Sequence, residues 1–197
     1  MNGSVARWDR VLIGAQSQGL LFTGLQNAAS GLAKMMGRPV SIGAPHAELV
    51  PISQITASVG GPDAEMVGIY LLMTDELPGQ AIMMMSLSEA LRLVDLITGA
   101  APGTSVELGD IERSALAEAG NIAVAFFLNA LGALAGTAAR PSPPAVMVDM
   151  LGAILDVIAS RAAAVDDNLL IVETTFNYPE GALQAHFWVL PDLSIES

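Results

Sequence analysis

Ser114 to Phe127 reads SALAEAGNIAVAFF, an alanine-rich stretch interrupted by three polar side chains, Ser114, Glu118 and Asn121. At about 100° per residue, offsets of 0, 4 and 7 place the three within an arc of roughly 60° on a helix. They form one polar ridge. The opposite side carries Leu116, Ala119, Ala123 and Phe127, small and apolar groups suited to packing on a sheet or another helix. By spacing alone, such a ridge reads first as a solvated face, so the rest of the chain has to decide what it does.

Working outward, the helix is expected over about 110–136, with Gly136 after it and the proline-rich PSPP beyond. Its uncharged run, Ala119 to Ala139, is long enough to span a bilayer. Asn121, Asn129, Thr137 and three glycines interrupt that run, and alanine and glycine stand where a span would carry leucine, isoleucine and valine. A core helix is the expectation, with no membrane span. Upstream, GAAPGTSVELG (99–109) is a connector. Before it, Ser86 or Ser88 can cap a helix running to Ile97, with Glu89 in its first turn and Gly99 at its end.

The other half of the chain shows the same sequence of events. Residues 8–36 lack proline and carry apolar groups at helical spacing, which predicts one long or two short helices ending at Gly37. Strands are expected at 38–44, 49–60, 66–74 and 80–86, with turns at Gly60-Gly61-Pro62-Asp63 and Leu77-Pro78-Gly79. Met83, Met84 and Met85 read as a buried strand, with a methionine-lined ligand surface as the alternative. The second half continues with a helix near 149–164 and strands at 168–176 and 183–190. Sliding the halves by 99 residues aligns Leu32 with Leu131, Gly37 with Gly136 and Pro45 with Pro144. The expected fold is α+β: a single domain over 1–197 built of two pseudo-symmetric repeats (about 8–98 and 110–190), with long helices packed on an antiparallel sheet.

Composition narrows the function. Hydrophobic residues make up 52% and charged residues 14% of the 197, so the chain can bury a large core. A net charge of −12 repels phosphodiester backbones and anionic lipid, and no nucleic-acid partner is expected. No cysteine is present, which removes thiolate catalysis, disulfides and zinc-thiolate sites and fits the cytoplasm. His46 and His186 lie far apart in no metal-binding spacing and read as surface or half-buried imidazoles. MNGSVARWDRVLIGAQ has no apolar segment long enough for an export signal.

DIERSALAEAGNIAVAFFLNAL, following LVDLITGA and leading to PSPP, resembles the second half of the CheC, CheX and FliY family of chemotaxis phosphatases. The family motif is Asp or Ser, three residues, Glu, two residues, Asn, then 22 residues and Pro; Ser114, Glu118, Asn121 and Pro144 meet every spacing. MSLSEALRLVDLITG resembles the helix between the family's halves, and GLQNAASGLAKMMGRPVSIGAP resembles its first half. There, however, Ala15, Gly19 and Phe22 occupy the motif positions, so the first site is degenerate and a single active ridge is expected.

The resemblance implies a substrate: the aspartyl phosphate of a CheY-like response regulator, whose receiver supplies Mg²⁺ and a lysine, so that this chain needs no cofactor of its own. It implies that Asn121 positions the attacking water, that Glu118 docks against the receiver's lysine, and that Ser114 hydrogen-bonds at the flank of the interface. CheD is a further partner that the family implies. A homodimer fits the exposed apolar edges of so hydrophobic a chain. The competing expectation is a non-catalytic scaffold that binds a response regulator, CheD or the flagellar switch. With no FliN-like segment after Ser197, the switch role is the weaker of these.

Overall fold

A computed structural model describes residues 3–15, 19–58, 61–162 and 168–192. Of the helical stretch expected over 8–36, the described residues form α1 (Gly3–Ala15) and α2 (Gly19–Met36), and residues 16–18 lie outside the described residues. Then come β1 (Ser41–Ile42), β2 (His46–Pro51), α3 (Ile52–Ser58), β3 (Glu65–Thr74) and β4 (Gly79–Ser86). The second half runs α4 (Leu87–Thr98), α5 (Asp110–Ala135), β5 (Arg140–Pro141), β6 (Ala145–Met150), α6 (Leu151–Ala162), β7 (Asn168–Tyr178) and β8 (Gly181–Pro191). The order of element types is the same in both halves. Gly37 and Gly136, paired by the 99-residue shift, both end their helices at positive φ, 63° and 73°, where glycine avoids the Cβ penalty.

One expectation fails. LVPISQITASVG was read as a strand, yet only Leu49 to Pro51 belong to β2; Ile52–Ser58 are α3, and Val59 and Gly60 lie outside the described residues. The β-branched Ile52, Ile55 and Thr56 favour a strand locally, but strand preference yields to burial. Ile55 is fully buried in a cluster with Leu151, Ile154 and Ile158 of α6, and the helix is what brings it there. The strand expected at 38–44 is likewise shorter, reduced to Ser41 and Ile42. Of the helix expected over 149–164, Leu151–Ala162 are helical and Ala163 and Ala164 lie outside the described residues.

All eight strands join one antiparallel sheet in the order β1-β7-β8-β4-β3-β5, with β2 beside β7 and β6 beside β3. The first half's short strands therefore pair with β7 of the second, and the second half's short strands pair with β3 of the first. β4 and β8 meet at the centre, Met83 opposite Phe187. The sheet is covered on both faces. On one, α1, α2, α4 and α5 bury Trp8, Leu25, Leu32, Phe127 and Leu131 against Val67, Ile69, Met83, Met85 and Phe187. On the other, α3 and α6 cover Met66, Ile82, Met84 and Trp188. Met83, Met84 and Met85 are all fully buried, as expected for a buried strand.

Candidate functional site on helix α5

By length and apolar composition α5 could cross a membrane, but it spends that apolar surface inside the protein. Leu116, Ala119, Ala123 and Phe127 are wholly buried. The Phe127 ring lies 4.9 Å from that of Phe187 on the sheet, centroid to centroid. Two glycines fix the height of the helix. A Cβ on Gly120 would stand 2.4 Å from Cγ2 of Ile69 on β3, so α5 rests directly on the strand. A Cβ on Gly31 of α2 would stand 2.5 Å from Cγ2 of Ile122, so α2 seats against α5 from the side. Gly120 and Ile122 flank Asn121 in sequence. The backbone carrying it is thus held from two directions.

On the remaining side of α5, Ser114 and Glu118 are exposed and Asn121 is half-buried. Along the axis, Glu118 and Asn121 are about 4.5 Å apart, less than one turn. The Ser114 hydroxyl donates to the carbonyl of Asp110 at 2.8 Å, a bond within its own helix that leaves the oxygen's lone pairs outward. Neither the Glu118 carboxylate nor the Asn121 carboxamide has a hydrogen-bond or ion-pair partner among the described residues. A carboxylate and a carboxamide thus stand ready one turn apart. Pro144 lies beyond the helix, directly before β6.

The first half carries no such pair. Gly19 is the first residue of α2 and offers no side chain, while Phe22 is 37% exposed. Ala15 is the last residue of α1.

Register brings together one group that the sequence did not. His46 on β2 and His186 on β8 both stand opposite Glu173 of β7. The His186 Nδ1 is 3.0 Å from Glu173 Oε1, and His46 Nε2 is 3.9 Å from Glu48 Oε2. Among the described residues no group of three or more His, Asp or Glu is placed to hold a metal ion. No sequence spacing could have joined the two imidazoles, because cross-strand register is set by the whole sheet.

A second polar centre secures the connector leading into α5. Asp95 on α4, only 2% exposed, accepts the backbone N–H groups of Gly103, Thr104 and Ser105 at 2.7, 3.2 and 2.9 Å. Burial is the strongest single influence on this carboxyl and pushes its pKa up. The hydrogen bonds from Ser105, Gly103 and Thr104 together outweigh burial and hold it below its ordinary value.

No protein-family model matches the chain. It is 28% identical over 173 residues, 86% of its length and 83% of the relative's, to the CheY-P phosphatase CheC of Bacillus subtilis. Its fold superposes on Thermotoga maritima FliY with a TM-score of 0.70 at 20% identity, over 90% of this chain and 88% of the other. In sequence and in fold the chain thus resembles the CheC, CheX and FliY family. The middle domain of FliM from H. pylori matches the fold as well, with a TM-score of 0.62 at 15% identity, over 95% of each chain. That likeness concerns the fold alone. Ser114, Glu118 and Asn121 all lie on α5.

Proposed function

We propose that this chain is a cytoplasmic phosphatase of chemotaxis signalling, hydrolysing the aspartyl phosphate of a CheY-like response regulator at the α5 ridge. The observation that carries the reading is the unpartnered pair Glu118 and Asn121, one turn apart on a helix whose backbone is held by Gly120 and Gly31. The sequence likeness to a CheY-P phosphatase supports it.

The chemistry asks little of the protein. Water attacks phosphorus in line, the bond between phosphorus and the aspartyl oxygen breaks, the aspartate leaves as carboxylate, and the water's proton departs with inorganic phosphate. Positioning supplies the acceleration. The Asn121 carboxamide accepts from the water through its C=O, and being neutral it does not repel the phosphoryl group. Glu118 pairs with the receiver's lysine and sets the angle at which α5 enters, while Ser114 hydrogen-bonds at the edge. Mg²⁺ arrives with the receiver.

The second reading is a scaffold that binds a response regulator, CheD or the flagellar switch without turnover. It is favoured by the FliM-like fold and by the loss of the pair at Gly19 and Phe22. Single-turnover dephosphorylation of a purified phosphorylated receiver separates the two. Asn121→Ala is expected to slow it on the order of 10²-fold while leaving receiver binding intact. Glu118→Ala weakens both rate and binding, and Glu118→Lys weakens them further. Wild-type turnover by the Asn121→Ala variant refutes the assignment.

A further inference from the structure

The two most exposed large hydrophobic side chains among the described residues flank the N-terminus of α5 in sequence, one just before it and one in its first turn. Val106 is 80% and Ile111 73% exposed, whereas the next most exposed, Met150, reaches 49%. Ile111, Ser114 and Glu118 follow at i, i+3 and i+7, so the isoleucine continues the polar ridge by one turn along the same face. Val106 does not hang from a loose loop. The Asp95 carboxylate holds Gly103, Thr104 and Ser105 immediately before it, and Leu108 packs on the core immediately after. The chain presents this apolar pair in fixed positions, which removes the ordering cost that usually opposes binding.

The surroundings of the pair are acidic. Glu107, Asp110 and Glu118 are exposed and Glu112 half-buried, and the one cation among them, Arg113, donates its Nε–H to the Leu108 carbonyl at 3.0 Å. An apolar centre with a carboxylate rim fits a surface of the opposite design, apolar with lysine or arginine around it.

We infer that the docking face for the phosphorylated receiver runs from Glu118 and Asn121 onto Ile111 and Val106, which select among receivers by fitting an apolar patch rimmed with basic residues. The inference rests on the proposed phosphatase activity and extends it: the ridge sets the rate, and the apolar pair sets the partner. The occupant is a receiver and not a second copy of this chain, because the acidic rim would face itself in an isologous dimer.

The test is steady-state dephosphorylation of a purified phosphorylated CheY-like receiver from the same genome. Wild type is compared with Ile111→Ser, Val106→Ser and Asn121→Ala, alongside sedimentation of each free protein. Both serine variants alter exposed positions and retain the fold. Each should raise KM about tenfold with kcat unchanged, as for loss of an apolar interface anchor, whereas Asn121→Ala lowers kcat. Wild-type KM should rise with ionic strength. Turnover by wild type with KM unmoved in both serine variants overturns this inference and leaves the phosphatase reading standing. A wild-type protein that neither binds nor dephosphorylates the receiver overturns both. A wild-type dimer that Ile111→Ser converts to monomer, with KM unchanged, gives the patch to a second copy and overturns the inference.

Discussion

Replacing Gly120 with alanine adds a single methyl group, and the structure says where it would go. The new Cβ would lie 2.4 Å from Cγ2, 2.6 Å from Cδ1 and 2.9 Å from Cβ of Ile69. Ile69 is fully buried on β3, between β4 and β6, so any shift of its side chain must be taken up inside the core. Against this stands the gain from removing a glycine inside a helix, about 0.5–1 kcal/mol. Overpacking a core costs about 1–3 kcal/mol. The net is a loss of about 1–2 kcal/mol, or roughly 2–8 °C in Tm for a chain of this size. Chemical and thermal unfolding measure it directly. A second substitution sharpens the test: Ile69→Ala removes the two closest contacting atoms, so Gly120→Ala should cost less in that background, with a coupling of about 0.5–1 kcal/mol. A Gly120→Ala protein more stable than wild type by about the helical gain of 0.5–1 kcal/mol refutes the direct seating of α5 on β3.

The remaining predictions concern the two ends of the sheet and the connector. Asp95→Asn should destabilise the fold at neutral pH by about 2–4 kcal/mol, since it weakens charge-assisted bonds to buried backbone. Because folding lowers the Asp95 pKa, its contribution is full above the ordinary value of 3.8 and disappears as pH falls through the folded value. The gap between wild type and Asp95→Asn in unfolding free energy should therefore close below about pH 4. Ser142, before β6, accepts from the Leu72 N–H at 3.0 Å and donates its own N–H to the Leu72 carbonyl at 2.8 Å. Its counterpart by the 99-residue shift is Gly43, which donates to the Thr175 carbonyl at 2.8 Å but has no hydroxyl to return. A Cβ there meets Thr175 no closer than 3.5 Å, so Gly43→Ser should add about 0.5–1 kcal/mol of stability in denaturant unfolding.

What could be read from the sequence was what local chemistry decides. Ser86 caps α4 through the Glu89 N–H while the Glu89 carboxylate returns to the Ser86 backbone, and Gly99 closes the helix at φ 71°; each residue type announces its role. The amphipathic face of α5 was equally legible, because Leu116, Ala119, Ala123 and Phe127 recur at the helical period. Pairings decided at a distance were hidden. α3 was concealed by β-branched residues whose helical state depends on burial against α6. The meeting of His46 and His186 at Glu173 depends on the register of three strands. The ridge itself was visible as a pattern, but the freedom of the Glu118 and Asn121 side chains from partners among the described residues was not, since any of the chain's eight basic residues could have satisfied Glu118.

The crossed pairing of the short strands also bears on the order in which the chain can fold. As synthesis proceeds, β1 and β2 emerge early, but the strand they lie against, β7, is among the last to appear: His46 waits for Glu173 and Ser41 for Asn177. Until then β2 has a backbone ladder without a mate and Ile55 of α3 lacks its α6 partners. Contacts of such long sequence separation slow folding and prolong the exposure of unpaired edges. A nascent first half should therefore be a client for chaperones, and a ribosome stalled before residue 168 should display β2 as a protease-sensitive segment. Completion would come in one late step, when β7 pairs with β8 and takes β1 and β2 into the sheet.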